Sequence, residues 1–375
     1  MEDVTRRSTT VAVGALCCAI AAAAIGCGAG DDAALPVKTI TLSVPLDGAL
    51  AARGRDMADA ARLALDEAGY DTPDVKLELR VVDSRASRAN AKAAAGRPNS
   101  VAYIGDLTDA ATREAYQATR ATRLLQISLA PSVRPGPEAV DRAPRRGNLI
   151  WLLPSALDAG RAYADQRAYD ATGPESRVVV GTSAFARAAA AGLVAYSEHN
   201  GIRAGIEPAS SASERSGLTA RVDSVPSART GDTANPRRAG SAYLMLTDDP
   251  AVAAVPRSAM LISPALRRED LPPAGTRFLD DFAATYDREP DRFAIFAYEA
   301  IGLTLDALTR AGEHGAVDRA AVSDAAGSII DRFGPVGHYD VLPSGHTTLY
   351  QFSTRVPDGR DDPGRATGRV IEVGH

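Results

Sequence analysis

Thr39-Ile40-Thr41-Leu42-Ser43-Val44 alternates polar and apolar side chains, the period-two signal of a strand, and Pro45 and Gly48 break it. Just beyond, Met57, Ala60, Ala61, Ala64, Leu65 and Ala68 recur at helical spacing between Gly54 and a stop at Gly69. The same alternation continues outward. A strand is expected at Val75–Val82, a weak helix at Ser87–Ala95, a strand at Val101–Ile104, a helix at Ala110–Ala121 and a strand at Leu124–Ile127. Strand and helix in regular succession predict a parallel sheet covered by helices on both faces.

A second series opens after Trp151. Arg161–Tyr169 and Ala184–His199 read as helices, and Arg177–Val180, Arg203–Ile206, Ala242–Leu246 and Ala259–Ile262 as strands. The stretch from Pro208 to Gly240 is rich in Ser, Ala, Arg and Pro and reads as a degraded helix plus loop. From Arg277 to Arg310 two helices are separated by Glu289-Pro290, and Gly334 to Phe352 reads as short extended pieces around a Pro343-Ser344-Gly345 turn. Two similar α/β units imply two lobes, and a cleft between lobes is a usual place for a small ligand.

The three cysteines, Cys17, Cys18 and Cys27, all fall near the start of the chain. Arg6 and Arg7 precede an uncharged run from Val11 to Ile25, and a small residue, Gly26, precedes Cys27. This is the layout of a secretory signal. Its 15-residue run is short of the roughly 20 needed to span a bilayer. Ala24-Ile25-Gly26-Cys27 resembles a lipoprotein box, with Ala24 where Leu is usual. Residues 1–27 are therefore expected to be a signal peptide that leaves Cys27 lipidated, and 28–36 a tether. A diacylglyceryl group supplies two chains, about what stable anchoring needs. The alternative is an ordinary signal peptide in which Cys27 is incidental.

With the signal removed no cysteine remains, so no internal disulfide can form, and a core of this size needs none. Losing Glu2, Asp3, Arg6 and Arg7 leaves the net charge at −5, and no basic tract argues for nucleic acid. Arg far outnumbers Lys, which occurs only at 38, 76 and 92; coding bias explains that better than function.

Phe278-Leu279-Asp280-Asp281-Phe282-Ala283-Ala284-Thr285-Tyr286-Asp287-Arg288-Glu289-Pro290, followed by Phe293-Ala294-Ile295-Phe296-Ala297-Tyr298-Glu299-Ala300, resembles a known family. It is similar to the extracytoplasmic solute-binding proteins of ABC transporters for branched-chain amino acids, the leucine/isoleucine/valine-binding type. Four further places agree in order and spacing. They are Ser43-Val44-Pro45-Leu46-Asp47-Gly48 with Gly54; Leu77 through Asp83; Tyr103-Ile104-Gly105 with Ile127 through Ser132; and Gly334 through Asp340 with Pro343-Ser344-Gly345. The resemblance covers Val37 to about Gly359. It implies the type I periplasmic-binding-protein fold, two doubly wound α/β lobes with a hinge of three crossings. By analogy the first lobe combines 37–150 with 259–331, the second combines 151–258 with 332–360, and 361–375 is a tail.

The resemblance also implies where a ligand would sit. The helix opening near Thr108 should point its free N–H groups into the cleft. In the family, residues at the positions of Asp109 and Ser132 and backbone at Ala130 grip the ligand carboxylate. Ser132 suits that role. Asp109 departs from it and is read as the helix N-cap; facing the cleft, it would favour an ammonium-bearing group. Arg53 falls where the family often has a cleft aromatic, within the loop 47–54. It is read either as a partner for an anionic ligand or Asp109, or as a solvated surface charge. Phe185 matches a family tyrosine that stacks on the ligand, with helix-face core as the equal alternative. The family's ammonium-binding glutamate has no counterpart between Thr247 and Met260; Asp248 is the nearest acid, and capping explains it as well.

Catalytic patterns are thin. His199, His314, His338, His346 and His375 are scattered, with no paired metal spacing, and neither a G-x-S-x-G elbow nor a phosphate-cradling loop occurs. Tyr298 and Glu299 read as structural hydrogen-bonding groups. The expectation is a non-enzymatic, monomeric protein without metal or cofactor, anchored by lipid outside the cytoplasm. It would bind a small solute, an amino acid of the branched-chain type, and deliver it to a permease. The rival classes are a ligand-binding sensor subunit and a lipid-anchored hydrolase.

Overall fold

Two sheets carry the chain, and each follows from its burial pattern. The computed structural model describes residues 34–133, 147–169, 175–180, 184–201, 203–208, 219–224, 243–246, 260–315, 317–356 and 365–372. Cys27 with the expected signal, and Asp248, lie outside them. The described residues from Val37 onward belong to one compact unit.

The first sheet has the order β2-β1-β3-β4-β5 and is parallel throughout. Its strands are β1 (Val37–Val44), β2 (Lys76–Asp83), β3 (Ser100–Ile104), β4 (Leu125–Ser128) and β5 (Leu149–Trp151). Three helices alternate with them: α1 (Ala51–Glu67), α2 (Ser87–Gly96) and α3 (Asp109–Thr119). The alternation in β1 has an unexpected meaning. Thr39, Thr41 and Ser43 are buried along with Ile40, Leu42 and Val44, because helices cover both faces of this central strand. Two of these hydroxyls are accommodated by bonding: Asn99 Nδ2 donates to Thr39 Oγ1 (3.1 Å) and Ser43 Oγ donates to Asp106 (2.6 Å), whereas Thr41 Oγ1 has no hydrogen-bond partner among the described residues.

The second sheet has the order β14-β13-β10-β9-β8-β6-β7. Its parallel members are β6 (Glu175–Val180), β7 (Arg203–Pro208), β8 (Thr219–Ser224), β9 (Tyr243–Leu246) and β10 (Met260–Ser263). Two antiparallel strands, β13 (Gln351–Val356) and β14 (Arg365–Glu372), extend it beyond β10. Helices α4 (Ala156–Tyr169) and α5 (Ala184–His199) pack on it through a small core of Ala159, Tyr163, Ala189, Leu193, Ile262, Phe352 and Ile371.

After β10 the chain returns to the first sheet as α6 (Pro273–Tyr286), α7 (Ala294–Glu313) and α8 (Arg319–Gly327), followed by the hairpin β11 (Arg332–Gly334) and β12 (Gly337–Tyr339). Phe278, Phe282, Phe296, Ile301, Leu303 and Leu308 join Ile40, Leu42, Ile104 and Ile127 in one core. The chain therefore passes between the sheets three times, after β5, after β10 and before β13. The passages are tied to one another. Thr347 Oγ1 donates to the Leu152 carbonyl (3.0 Å), and Ser353 Oγ donates to that of Ala265 (2.8 Å).

Several expectations need correction. β10 belongs to the second sheet, not the first lobe, because it pairs with β9 and β13. Residues 332–349 pack on the first core through Val336, Tyr339, Val341 and Leu349, not on the second. The expected tail contributes β14, whose backbone hydrogen-bonds to β13. The stretch read as a degraded helix contains β8. The α8 helix was not foreseen. Among the described residues no helix is long and apolar enough to cross a membrane.

Candidate functional site

In an open α/β sheet, ligands gather outside the carboxyl ends of the strands, where the strand order reverses. Here that point lies between β1 and β3. At the end of β1, Ser43 Oγ donates to Asp106 Oδ1 (2.6 Å), just past the end of β3, and the Tyr103 hydroxyl donates to both Asp106 oxygens (3.3 Å). Gly105, joined to Asp106 by a cis peptide, has φ +127°. A Cβ on Gly105 would fall 2.2 Å from the Ser43 carbonyl oxygen. Only glycine permits this approach of the β3 end to β1. Burial pushes the Asp106 carboxyl above its usual range, opposed by the hydrogen bonds from Ser43, Ser87 and Tyr103.

Two residues on, α3 starts. Its cap is Thr108, whose Oγ1 accepts from the Ala111 N–H (3.2 Å). This corrects the reading of Asp109 as the cap. Asp109 is the first helical residue, with its carboxylate turned to other partners. Arg113 grips it with Nε on Oδ2 (2.5 Å) and Nη2 on Oδ1 (2.9 Å), and the Val133 N–H donates to Oδ1 (3.1 Å). The Arg113 guanidinium in turn lies 5.7 Å from the centre of the Trp151 ring, and Trp151 stacks on His346 at 6.3 Å. The pair is thus neutral as a whole, with its cationic half lodged over an aromatic face.

The end of β4 completes the edge. Ser128 Oγ lies 2.9 Å from Thr112 Oγ1 and accepts from the Ala130 N–H (3.2 Å). Ser132 is fully buried, and its carbonyl accepts from the Ala156 N–H (2.8 Å) at the start of α4. The structure therefore brings Thr108, Asp109, Ala130 and Ser132 to one edge. Sequence reasoning missed Arg113 and Trp151. The i, i+4 spacing of Asp109 and Arg113 was the visible signal for the pair, whereas the approach of Trp151 is tertiary.

Arg53, in the first turn of the helix that follows β1, has other partners. It lies inside α1 rather than in a loop, only 5% exposed. Its Nε donates to Asp291 (3.2 Å) and its guanidinium lies 4.5 Å from the Phe293 ring centre. It pairs with Asp291, not Asp109, and fastens the start of α7. Phe185, in the first turn of α5, is half-buried against the second core.

Glu299 has partners of its own. It is wholly buried on α7, accepting from Arg332 Nε (2.5 Å) and from the Tyr339 hydroxyl, so that it clamps the β11–β12 hairpin. A groove of about 1140 Å³ lined by Leu149, Ile150, Arg310, His314, Leu342 and Gly345 shares none of the residues at the carboxyl edge. Among the described residues no group of three His, Cys, Asp or Glu side chains could hold a metal ion.

No protein-family model and no curated protein sequence matches the chain. Solved structures do. An ABC transporter substrate-binding protein from Desulfitobacterium hafniense in complex with Leu aligns with TM-score 0.68 at 15% identity, over 89% of this chain and all of its own. A branched-chain amino acid ABC transporter protein from Rhodospirillum rubrum aligns at 0.63 and 20% identity, over 88% and 99%. A solute-binding protein from R. palustris in complex with benzoate aligns at 0.64 and 15% identity, over 88% and 95%. At these identities the likeness establishes the fold. It is the type I periplasmic-binding-protein architecture, the one the sequence resembles.

Proposed function

We propose that this chain is an extracytoplasmic solute-binding protein. It takes a small solute at the carboxyl edge of the first sheet and delivers it to the permease of an ABC transporter. One observation carries the reading. The ends of β1, β3 and β4, the capped start of α3 and the first passage to the second sheet all meet at that edge. Three linked passages between two sheets suit a hinge that closes on a ligand. Amino acids of the branched-chain type are the first solutes to try, and aromatic acids the second, given what the structural neighbours hold. Lipid at Cys27 would keep the protein at the membrane.

Thermal unfolding against a panel of amino acids and aromatic acids tests this reading. A ligand at about 100 times its dissociation constant stabilises the folded state by roughly 2.7 kcal/mol, which is easily seen as a shifted midpoint. A panel in which no solute moves the midpoint refutes the proposal.

A further inference from the structure

We infer that Arg113, held over Trp151, is the receptor for the solute's carboxylate, and that the solute class is a monocarboxylate with an apolar body whose ammonium group is dispensable. The inference rests on the solute-binding reading and specifies its chemistry.

A carboxylate removed from water needs donors to replace its hydration. The start of α3 is a poor place to find them in this chain. One of its first N–H groups, that of Ala111, is already taken by Thr108 Oγ1, and Asp109 rather than a donor side chain stands in the first turn. Arg113 is the better donor. A guanidinium carries five N–H groups, and Asp109 takes two of them, at Nε and Nη2. The other three remain for a ligand, and the Arg113 side chain is 28% exposed against 12% for Asp109. Ion pairing and the Trp151 face hold the fork in place, so little side-chain entropy is lost when it binds.

The same geometry leaves little for an ammonium. Asp109 Oδ1 accepts from both Arg113 and Val133, and Oδ2 accepts from Arg113. Apolar surface is present at the same edge. Leu46, past the end of β1, is 39% exposed, and Leu107, past the end of β3, is half-buried.

Isothermal titration of the detergent-solubilised full-length protein with leucine, 4-methylpentanoate, leucinamide and benzoate separates the possibilities. Leucine and 4-methylpentanoate should bind within about tenfold of each other, and leucinamide at least about tenfold more weakly than both, since a hydrogen bond to a charged group contributes about 1.5–3 kcal/mol. Arg113→Gln should weaken both carboxylates about ten- to a hundredfold, and Arg113→Lys, which keeps the charge near Asp109 and Trp151, should recover part of the loss. Should Arg113→Gln unfold the chain, the wild-type ranking and the lysine variant still decide. Leucinamide binding as well as leucine, or carboxylate affinity unchanged in Arg113→Gln, overturns the inference but leaves the solute-binding reading standing. Silence of all four ligands toward the folded wild type overturns the inference, and silence of a wider solute panel removes the reading beneath it.

Discussion

Asp106 shows how far a single residue can be read. Its buried carboxyl is raised above the usual value, so the folded chain holds that proton more tightly than the unfolded chain does. Protons bound in the folded state then exceed those in the unfolded state, and the sign is fixed. The stability this group contributes is present below the ordinary aspartate range, near pH 3.8, and is lost as pH rises toward the raised folded value. Asp106→Asn keeps an acceptor for Ser43 and Tyr103 and removes the titration. Urea unfolding at pH 4, 5.5 and 7 should show the wild type losing stability relative to Asp106→Asn as pH rises; parallel profiles would refute this. That a helix opens near Thr108 was legible, because helix-start chemistry is local, whereas Asp109, Ala130 and Ser132 were singled out only by the family resemblance. Which of Thr108 and Asp109 caps the helix was not legible, since Asp109 is drawn off by Arg113 and by Val133, 24 residues away. Arg53 was misread for the same reason: Asp291 and Phe293 lie far along the chain.

Among elements, the pairing of α4 and α5 has the sharpest requirement. A Cβ at Gly160 would lie 1.8 Å from the Ala189 carbonyl oxygen, and one at Gly192 would lie 2.2 Å from that of Leu157. The helices cross backbone to backbone. Alanine for glycine in a helix ordinarily gains about 1 kcal/mol, but here the helices must separate, at an overpacking cost of about 1–3 kcal/mol. Gly160→Ala should therefore lower the urea midpoint, whereas Gly327→Ala in α8, with nothing within 4 Å, should be neutral or stabilising. Equal effects at the two sites would contradict the crossing. Most elements of the first sheet were legible because each is a local period. The misses have a physical cause. β8 and β14 are strands by virtue of neighbours supplied by distant chain, whereas the Asp318 cap of the nine-residue α8 is a local signal that was passed over.

At the scale of the whole molecule, the anchor and the two-sheet body make separate claims. If Cys27 carries lipid, Cys27→Ser should move the protein from the membrane fraction to the soluble fraction while leaving ligand-induced stabilisation unchanged. Membrane retention by Cys27→Ser would remove the anchor and nothing else. The amino-acid order alone determined the parallel α/β class, the two successive units and the absence of any cysteine beyond residue 27, because periodicity, turn residues and composition are properties of neighbouring positions. Tertiary structure decided how the chain is shared out: β10 joins the second sheet, 332–349 the first core, and β14 closes what looked like a tail. It also set Arg113 on Trp151 and Arg53 on Asp291. Such choices depend on which surfaces meet once chain far apart in sequence is folded together, and no local pattern records them.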